Sequence, residues 1–390
     1  MTAPTTHPST LDVGGKFRLG CDGCGWSGPS APVFRCPRCD GALEARLNLV
    51  QVTLQPSDQP EFTYFDLLPL SSPDYLQPGT SQVTPCRRAG RLGAAIGLPQ
   101  LWIKDESRQP TGSTKDRAAA VVLAVFREFG IDQFACASTG NTAIALARAA
   151  GRDESIRGHF FCSAGSVGRE LIDTGNGNTL NVIDGSYAQA MQAAREFAAE
   201  QSIFAEGGFF SWARREGLKL AYLEAFDEMP VEPDVVVQAI SSGMGIMAAR
   251  KAVHEYIALG RLARSPRFLM VQQDTCAPMA RAWRQGRGEL TEDDVVANPE
   301  GLAAAILLGD GRASYRYMQE IARSSGGSIV GVTQLQLIEA RGLLHELEGL
   351  DVCYSSAATV AAVRNEVAAG RLGADQVVLV NLTGVQREHM

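Results

Sequence analysis

Short, continuously apolar segments alternate with alanine-rich segments over most of the chain, and this alternation restricts the possible folds more than any other feature. The apolar segments include QLWIKD, FACAS, VVVQAI, FLMVQQ and VVLVNL, and alanine-rich segments such as DRAAAVVLAVFREF and YAQAMQAAREFAAEQ lie between them. Strands without polar alternation are buried on both faces, which is typical of parallel sheets covered by helices. The sequence therefore predicts an α/β protein, and its 390 residues predict two lobes with twisted, mostly parallel sheets.

The composition disfavours several classes of function. A net charge of -7 leaves no basic excess to neutralise phosphates, so nucleic acid is not expected as a partner. The first residues, MTAPTTHPST, lack the basic and apolar regions of a signal peptide, and no apolar run is long enough to span a membrane. We therefore expect a cytoplasmic protein without a membrane partner.

Four of the nine cysteines lie close together in the segment CDGCGWSGPSAPVFRCPRC. They form two Cys-x-x-Cys pairs, a spacing that predicts four thiolate ligands around one tetrahedral Zn²⁺, namely Cys21, Cys24, Cys36 and Cys39. A site with four protein ligands has no open position for catalysis, so we expect a structural zinc ribbon over residues 16–48, after a disordered lead of residues 1–15. A ribbon that binds nucleic acid is the alternative, and the acidic balance of the chain disfavours it.

A lysine follows the turn Pro-Thr-Gly-Ser-Thr in the segment QPTGSTKDRAAA, at the predicted start of a helix. Ser113 or Thr114 is predicted to cap this helix, so Lys115 lies in its first turn, where the helix dipole disfavours an ammonium by about 0.3 to 1 kcal/mol. That penalty is too small to explain the position, and it disappears if the nitrogen forms an imine with an aldehyde cofactor. A solvated lysine at a helix start is the alternative, and this segment alone leaves both open.

Two further turns follow apolar strands and precede predicted helices. In ASTGNTAIALARAA the backbone N–H groups are predicted to bind an anion such as a substrate carboxylate, and in VVVQAISSGMGIMAARKA a glycine- and serine-rich turn is predicted to bind a phosphate. The last apolar strand leads to Thr383, at an end where the ligands of such sheets gather, so its hydroxyl is a candidate partner for a ring nitrogen. A buried threonine bonded to the backbone is the alternative for Thr383.

Five motifs together resemble the pyridoxal-phosphate enzymes of the tryptophan-synthase β fold, which is fold type II. They are VTP at 83–85, QPTGSTKDR, STGNTA, the SSGMG turn and the final TG, and the likeness covers roughly residues 80–385. Within this group the chain is similar to threonine synthase and cysteate synthase. The resemblance implies a homodimer in which each chain has a large cofactor domain, residues 49–115 and 211–390, and a small mobile substrate domain, residues 116–210.

The resemblance also implies roles for individual residues. Lys115 is implied as the residue that binds the cofactor aldehyde and acts as the catalytic base. The other implied cofactor-binding residues are Asn141 for the 3′-hydroxyl, Ser241, Ser242, Gly243, Met244 and Gly245 for the phosphate, and Thr383 for the pyridine nitrogen. The implied substrate-binding residues are Ser138, Thr139, Gly140 and Thr142 for the α-carboxylate and Arg214 for a phosphate.

The implied reaction is replacement of the phosphate of an O-phospho-L-amino acid by a small nucleophile. Threonine synthases typically carry Asn-Pro-x-Arg-x-Glu-Gly, whereas this chain has SWARREG, with Ser211 and Trp212 in place of Asn and Pro. AEGGFFSWARREG and LHELEGLDVCYSSAATVAAV are more similar to cysteate synthase, which replaces the phosphate of O-phosphoserine with sulfite, although Thr383 is more similar to threonine synthase. We therefore expect β-replacement on O-phospho-L-serine, with threonine synthase as the first alternative and a binding protein of this fold without catalysis as the second.

Overall fold

The computed structural model describes residues 15–138, 140–165 and 169–387, and it contains all the strands and helices named above. The strands in this part of the chain are β1 Phe17–Gly20, β2 Ser27–Gly28, β3 Glu44–Leu47, β4 Cys86–Arg88, β5 Leu101–Asp105, β6 Gln133–Ala137, β7 Arg157–Ser163, β8 Thr179–Ile183, β9 Phe204–Ala205, β10 Val235–Ala239, β11 Arg267–Gln273, β12 Ser328–Val332 and β13 Val378–Leu382. The α-helices are α1 Pro60–Thr63, α2 Gly90–Ala95, α3 Lys115–Glu128, α4 Asn141–Ala150, α5 Tyr187–Glu200, α6 Trp212–Glu228, α7 Met244–Ala258, α8 Pro278–Arg284, α9 Arg312–Ser325, α10 Gln334–Glu348 and α11 Tyr354–Ala368. Within the described ranges, none of these helices has the length and apolar character that a membrane crossing requires.

The described strands form three sheets, two of them mostly or wholly parallel. The cysteine-rich segment contains a small antiparallel sheet with the order β2-β1-β3. A four-stranded sheet with the order β8-β7-β6-β9 is parallel throughout. A six-stranded sheet with the order β12-β11-β10-β13-β5-β4 is parallel except for its edge strand β4. The sheets confirm the predicted α/β class.

The described chain divides into two compact units. Unit 1 contains the described residues up to Gln82 together with Lys115–Gly217, and it includes the three-stranded and four-stranded sheets. Unit 2 contains Val83–Thr114 and the described residues from Leu218 onward, and it includes the six-stranded sheet. One unit boundary therefore falls within the continuous helix α6.

Residues 49–82 belong to unit 1 in the structure, whereas the predicted division assigned them to the large cofactor domain. Hydrogen bonds to α3 explain the difference. The carboxylate of Glu128 accepts from the backbone N of Ser71, and the Arg127 guanidinium donates to the carbonyl oxygen of Tyr75. The polar composition of this segment gave no indication of these contacts.

The central strands of unit 2 are buried along their whole length, which explains their continuous apolar sequences. All five residues of β10 and all five of β13 are buried. One face contributes side chains such as Val237 and Val380 to an apolar core that also includes residues of α10 and α11. The polar side chains of Gln238 and Asn381 are buried as well. Both have a hydrogen-bond partner in the hydroxyl of Tyr222, which donates to Gln238 over 2.5 Å and accepts from Asn381 over 3.2 Å.

Helix α6 carries charged residues that are nevertheless buried, and it includes most of the SWARREG motif. Four of its buried charges have a partner of opposite sign: the pairs are Arg214–Glu206, Arg215–Glu44, Lys219–Glu255 and Glu224–Lys104. Gly217 leaves no room for a side chain, because a Cβ there would lie 2.1 Å from the carbonyl oxygen of Arg117 in α3. This motif therefore has a packing function as well as any function in binding.

Candidate active site

The four clustered cysteines converge in unit 1. Their sulfur atoms all lie within 4.8 Å of one another. The Cys21–Cys39 and Cys24–Cys36 sulfur pairs are each separated by 3.5 Å, close to the roughly 3.8 Å expected between two thiolates of a tetrahedral zinc ion. The structure thus brings all four predicted ligands together, and the cluster is compatible with the predicted zinc ribbon.

Tight turns present these sulfur atoms. The backbone N of Gly25 donates to the Cys21 carbonyl and that of Asp40 to the Cys36 carbonyl, both over 2.9 Å. Burial raises the pKa of the Cys36 thiol, but hydrogen bonds from the backbone of Arg38 and Cys39 outweigh burial and lower that pKa to about 7. Burial raises the pKa of the Cys21 thiol to about 12, so a bound metal ion would have to displace its proton.

Lys115 and Asn141 occupy equivalent positions in unit 1. Lys115 is the first residue of α3 and Asn141 is the first residue of α4, and these two helices pack against each other. Both side chains are half-buried. The predicted start of a helix at the lysine is therefore confirmed, and its side chain is not fully solvated.

The turn after β6 contains the residues predicted to bind a substrate carboxylate. The backbone N of Ser138 donates to the Phe161 carbonyl over 3.0 Å, which fixes the beginning of the turn. Gly140 is the N-cap residue of α4, and no side chain caps that helix. Thr142 is buried in its first turn, whereas Thr139 lies outside the described residues.

The turn predicted to bind a phosphate and the predicted ring-nitrogen partner lie at one edge of the unit 2 sheet. Residues 241–245 follow β10 and Thr383 follows β13, and these strands are parallel neighbours, so their carboxyl ends share an edge. Gly243 is left-handed, with φ +87, and a Cβ there would lie 2.0 Å from the sulfur of Met318. Gly243 is the N-cap residue of α7, and no side chain caps this helix. Its first N–H groups are therefore not bonded by a capping side chain.

The residues around Thr383 are held in place by backbone contacts. The carbonyl oxygen of Thr383 accepts from the backbone N of Thr114 over 3.0 Å, and Ser113 forms an isolated β-bridge with Gly384. Ser356 also accepts from the Gly384 N–H over 3.1 Å. Ser113 is 1% exposed, and its hydroxyl has no hydrogen-bond partner in the described part of the chain. Ser113 is one of the two predicted caps of the helix that begins at Lys115, but its unpartnered hydroxyl does not cap that helix.

Arg214, the predicted ligand of a phosphate, is paired with a residue that the sequence patterns did not indicate. Its Nε donates to Glu206 over 2.5 Å and its Nη2 donates to the other carboxylate oxygen, and both side chains are buried. Burial raises the pKa of Glu206, and the positive charge of Arg214 opposes that rise. The sulfur of Cys136 lies 3.6 Å from Nη2. A substrate phosphate would have to share this guanidinium with Glu206, so the role of Arg214 in binding stays a prediction.

The similarity of this chain to known proteins extends over most of its length. A model of the pyridoxal-phosphate dependent enzyme family matches residues 79–384. The chain is 30% identical over 378 residues to a threonine synthase of Methanosarcina acetivorans, covering 94% of this chain and 91% of the relative. It is 28% identical over 392 residues to a cysteate synthase of Methanospirillum hungatei, covering 94% and 89%.

The fold is also found among solved structures. The processed form of threonine deaminase isoform 2 from Solanum lycopersicum aligns with a TM-score of 0.68 over 86% of this chain and 93% of that chain, at 16% identity. Maize serine racemase aligns with a TM-score of 0.65 over 77% and 87%, at 19% identity. At these identities the likeness shows the fold alone, which is the predicted fold type II.

The residues described above fit pyridoxal phosphate. In unit 2, the start of α7 offers helix-terminal N–H groups after Gly243, whose left-handed backbone forms the tight turn between β10 and the helix, and this arrangement suits a phosphate. At the same sheet edge, the half-buried Thr383 and the unpartnered hydroxyl of Ser113 suit the polar atoms of a heterocycle. In unit 1, Lys115 offers the amine that an aldehyde requires.

Proposed function

Because the chain belongs to the family of pyridoxal-phosphate dependent enzymes, we propose that it replaces the phosphate of an O-phospho-L-amino acid, most specifically that it converts O-phospho-L-serine and sulfite to cysteate. The Cβ–O bond breaks, a Cβ–S bond forms and inorganic phosphate leaves, so no oxidant or reductant is needed. The principal support is the extent of the similarity: proteins named cysteate synthase align with 94% and 95% of this chain at 28% and 29% identity.

The residues at the two helix starts and at the sheet edge would hold the cofactor. When bound, pyridoxal phosphate supplies an aldehyde that condenses with amines and a ring that withdraws electrons from Cα. Lys115 would hold the aldehyde, Asn141 the 3′-hydroxyl, residues 241–245 the phosphate and Thr383 the ring nitrogen. Thr383 offers a neutral hydroxyl, which leaves the nitrogen unprotonated and favours elimination and replacement over transamination.

Other side chains would bind the substrate and move its proton. The Nζ atom of Lys115 would remove the proton from Cα and return it after the nucleophile has added at Cβ. Backbone N–H groups of the Ser138–Thr142 turn would bind the α-carboxylate, as anions bind at helix starts. Arg214 would bind the leaving phosphate as a charged donor, with Glu206 fixing the orientation of its guanidinium.

Measurements of phosphate release test this proposal. The purified protein is incubated with O-phospho-L-serine, with and without sulfite, and phosphate and cysteate are quantified. We expect sulfite-dependent cysteate in an amount equal to the phosphate released. Lys115→Ala should reduce the rate at least about 1,000-fold while the protein remains folded by circular dichroism. Cysteate formation by Lys115→Ala at the normal rate would contradict the assignment of the base.

A second candidate is the conversion of O-phospho-L-homoserine to threonine. It is favoured by the 30% identity to the threonine synthase of Methanosarcina acetivorans and by the similarity at Thr383. The same assay with O-phospho-L-homoserine and no added nucleophile separates the two reactions. Threonine as the main product, with no cysteate from O-phospho-L-serine, would overturn the first candidate in favour of the second.

A further inference from the structure

The ribbon, residues 16–48, is bonded to the segment that contains Arg214 and Glu206. The indole Nε1 of Trp212 donates to the carbonyl oxygen of Val33 over 2.9 Å, and the Trp212 side chain is completely buried. Its ring contacts Phe17 and Phe34 of the ribbon, with centroid distances of 5.6 and 6.1 Å. The first residue of α6 is thus packed within an aromatic cluster that the ribbon supplies.

Arg215 makes a second connection. Its guanidinium is completely buried, donates to the carbonyl oxygen of Leu43 and lies 2.9 Å from a carboxylate oxygen of Glu44, both in the ribbon. The same guanidinium donates to the carbonyl oxygen of Phe209 over 2.9 Å, in the turn before α6. One side chain therefore links the ribbon, the turn and the helix.

These connections flank the predicted phosphate ligand. Trp212 and Arg215 lie on either side of Arg214 in the sequence, and Glu206 precedes the turn that Arg215 holds. We name residues 206–216 the α6-entry segment. Its position depends on the ribbon, since the carbonyl oxygens of Val33 and Leu43 accept its buried donors and the Glu44 carboxylate forms an ion pair with Arg215.

We propose that metal binding at Cys21, Cys24, Cys36 and Cys39 orders the α6-entry segment, with Arg215 as the main positioning residue and Trp212 as the second. A ribbon with three short strands has a small core, so the metal supplies much of its folding free energy. When the metal leaves, the ribbon loosens and the Arg215 charge loses its buried partners. A buried charge without partners is strongly unfavourable, so the α6-entry segment opens to water. The consequence for substrate binding rests on the proposed function.

Hydrogen exchange of the full-length holoenzyme tests the coupling without measuring activity. Zinc is removed with a chelator, its loss is measured by atomic absorption, and exchange is compared with that of the zinc-loaded protein. We expect exchange in residues 206–216 to accelerate at least about tenfold, with less than about twofold change in α5, which belongs to the same unit. Unchanged exchange in residues 206–216 after complete zinc loss would overturn the proposal.

A thermodynamic cycle that combines zinc removal with a substitution at Arg215 tests whether Arg215 links the metal to the α6-entry segment. Arg215→Lys keeps the charge but not the planar donor arrangement, and it leaves all four cysteines intact. If Arg215 transmits the effect, zinc removal should accelerate exchange in residues 206–216 much less in Arg215→Lys than in the unmodified protein. Equal acceleration in both proteins would overturn the role of Arg215. Arg127→Lys is the matched control, because Arg127 is a partly buried arginine of unit 1 that bonds Asp153 and Tyr75, and it should behave like the unmodified protein.

Kinetics then separate this proposal from the proposed function. In zinc-loaded Arg215→Lys we expect KM for the phosphorylated amino acid to rise at least about fivefold while kcat falls less than about twofold, because the chemical groups are intact. A fall in kcat with unchanged KM would contradict a positioning role. If the protein releases no phosphate from any substrate, the proposed function fails, whereas the exchange experiments still decide whether the metal orders the α6-entry segment.

Discussion

The turn after β6 and the turn after β10 each join a parallel strand to a helix, yet their glycines are held very differently. Gly243 in the second turn is left-handed, with φ +87, and Met318 occupies the space that a Cβ would need. Gly140 in the first turn has an extended φ of 179, and nothing lies within 4 Å of a Cβ built there. The first turn is therefore open and the second is closely packed.

Both turns also differ from the starts of two helices outside the candidate site, α5 and α10. Helices α5 and α10 begin with complete capping boxes, made by Ser186 with Gln189 and by Thr333 with Gln336. Helices α4 and α7 begin at glycines without a side-chain cap. A helix that caps itself needs no ligand, whereas an uncapped start offers N–H groups to an anion. The packed turn suits a cofactor that stays bound, and the open turn suits a substrate that comes and goes.

Gly243→Ala should have the largest effect. The left-handed φ costs a residue with a Cβ roughly 1–2 kcal/mol, and the contact with Met318 adds about 1–3 kcal/mol, so we expect cofactor affinity to fall at least about 30-fold. Titration of the apoprotein with pyridoxal phosphate, followed by absorbance, gives the affinity, and urea unfolding gives the stability.

Gly286→Ala is the matched control for Gly243→Ala. Gly286 is also left-handed, with φ +69, but nothing lies within 4 Å of a Cβ there. It should lower the free energy of unfolding by about 1–2 kcal/mol and leave cofactor affinity unchanged. Equal cofactor affinity in the two variants would show that the packing at Gly243 has no part in binding.

Tyr222→Phe should have the next largest effect. The Tyr222 hydroxyl bonds Gln238 and Asn381, and the Gln238 amide nitrogen lies 3.1 Å from the position of a Cβ on Gly245. Removing the hydroxyl leaves two buried groups without this hydrogen-bond partner, so we expect the free energy of unfolding to fall by about 1–3 kcal/mol. Cofactor affinity should fall several-fold, because Gly245, in the turn predicted to bind the phosphate, lies beside Gln238.

Tyr256→Phe separates the effect on the turn from a general loss of stability. Tyr256 belongs to the same unit and its buried ring carries a hydroxyl that donates to Asp227 over 2.9 Å, in a region without predicted cofactor ligands. It should lower stability without changing cofactor affinity. If both tyrosine variants bind the cofactor normally, the network beneath the turn serves stability alone.

Local patterns predicted the elements that carry the site. The start of α3 at Lys115, the uncapped turns and the four clustered sulfur atoms all depend on residues near one another in the sequence. Periodicity could also predict β10 and β13, because a strand that is buried on both faces is apolar at each successive position.

Long-range charge pairing was not predictable in the same way. Helix α6 is buried on nearly all sides, so it lacks an amphipathic period, and its charged residues resemble those of an exposed segment. Their burial depends on partners that are distant in the sequence: Lys219 on Glu255 and Glu224 on Lys104. The pairing of Arg214 with Glu206 likewise depends on β9, because Glu206 directly follows this strand, and no sequence pattern predicts a strand of two residues. These contacts become visible only when the tertiary structure is known.

Thr333→Ala should have a smaller effect, confined to stability. It removes the side chain that accepts from the backbone N of Gln336 at the start of α10, and loss of such a cap costs about 1 kcal/mol. Cofactor affinity and KM should not change, since this helix start is satisfied by its own residues. Urea unfolding and cofactor titration check both parts, and a change in cofactor affinity would contradict the distinction between self-capped and ligand-binding helix starts.

Gly140→Ala should have the smallest effect on the fold and the most selective effect on function. A Cβ at this extended position meets no atom within 4 Å, so we expect the free energy of unfolding to change by about 1 kcal/mol or less. The added methyl group would instead lie where a substrate carboxylate is expected, so KM should rise several-fold while cofactor affinity stays constant. When KM and cofactor affinity are measured for both glycine variants, Gly140→Ala should change KM and Gly243→Ala should change cofactor affinity. If Gly140→Ala loses the cofactor as Gly243→Ala does, the two turns do not divide substrate and cofactor between them.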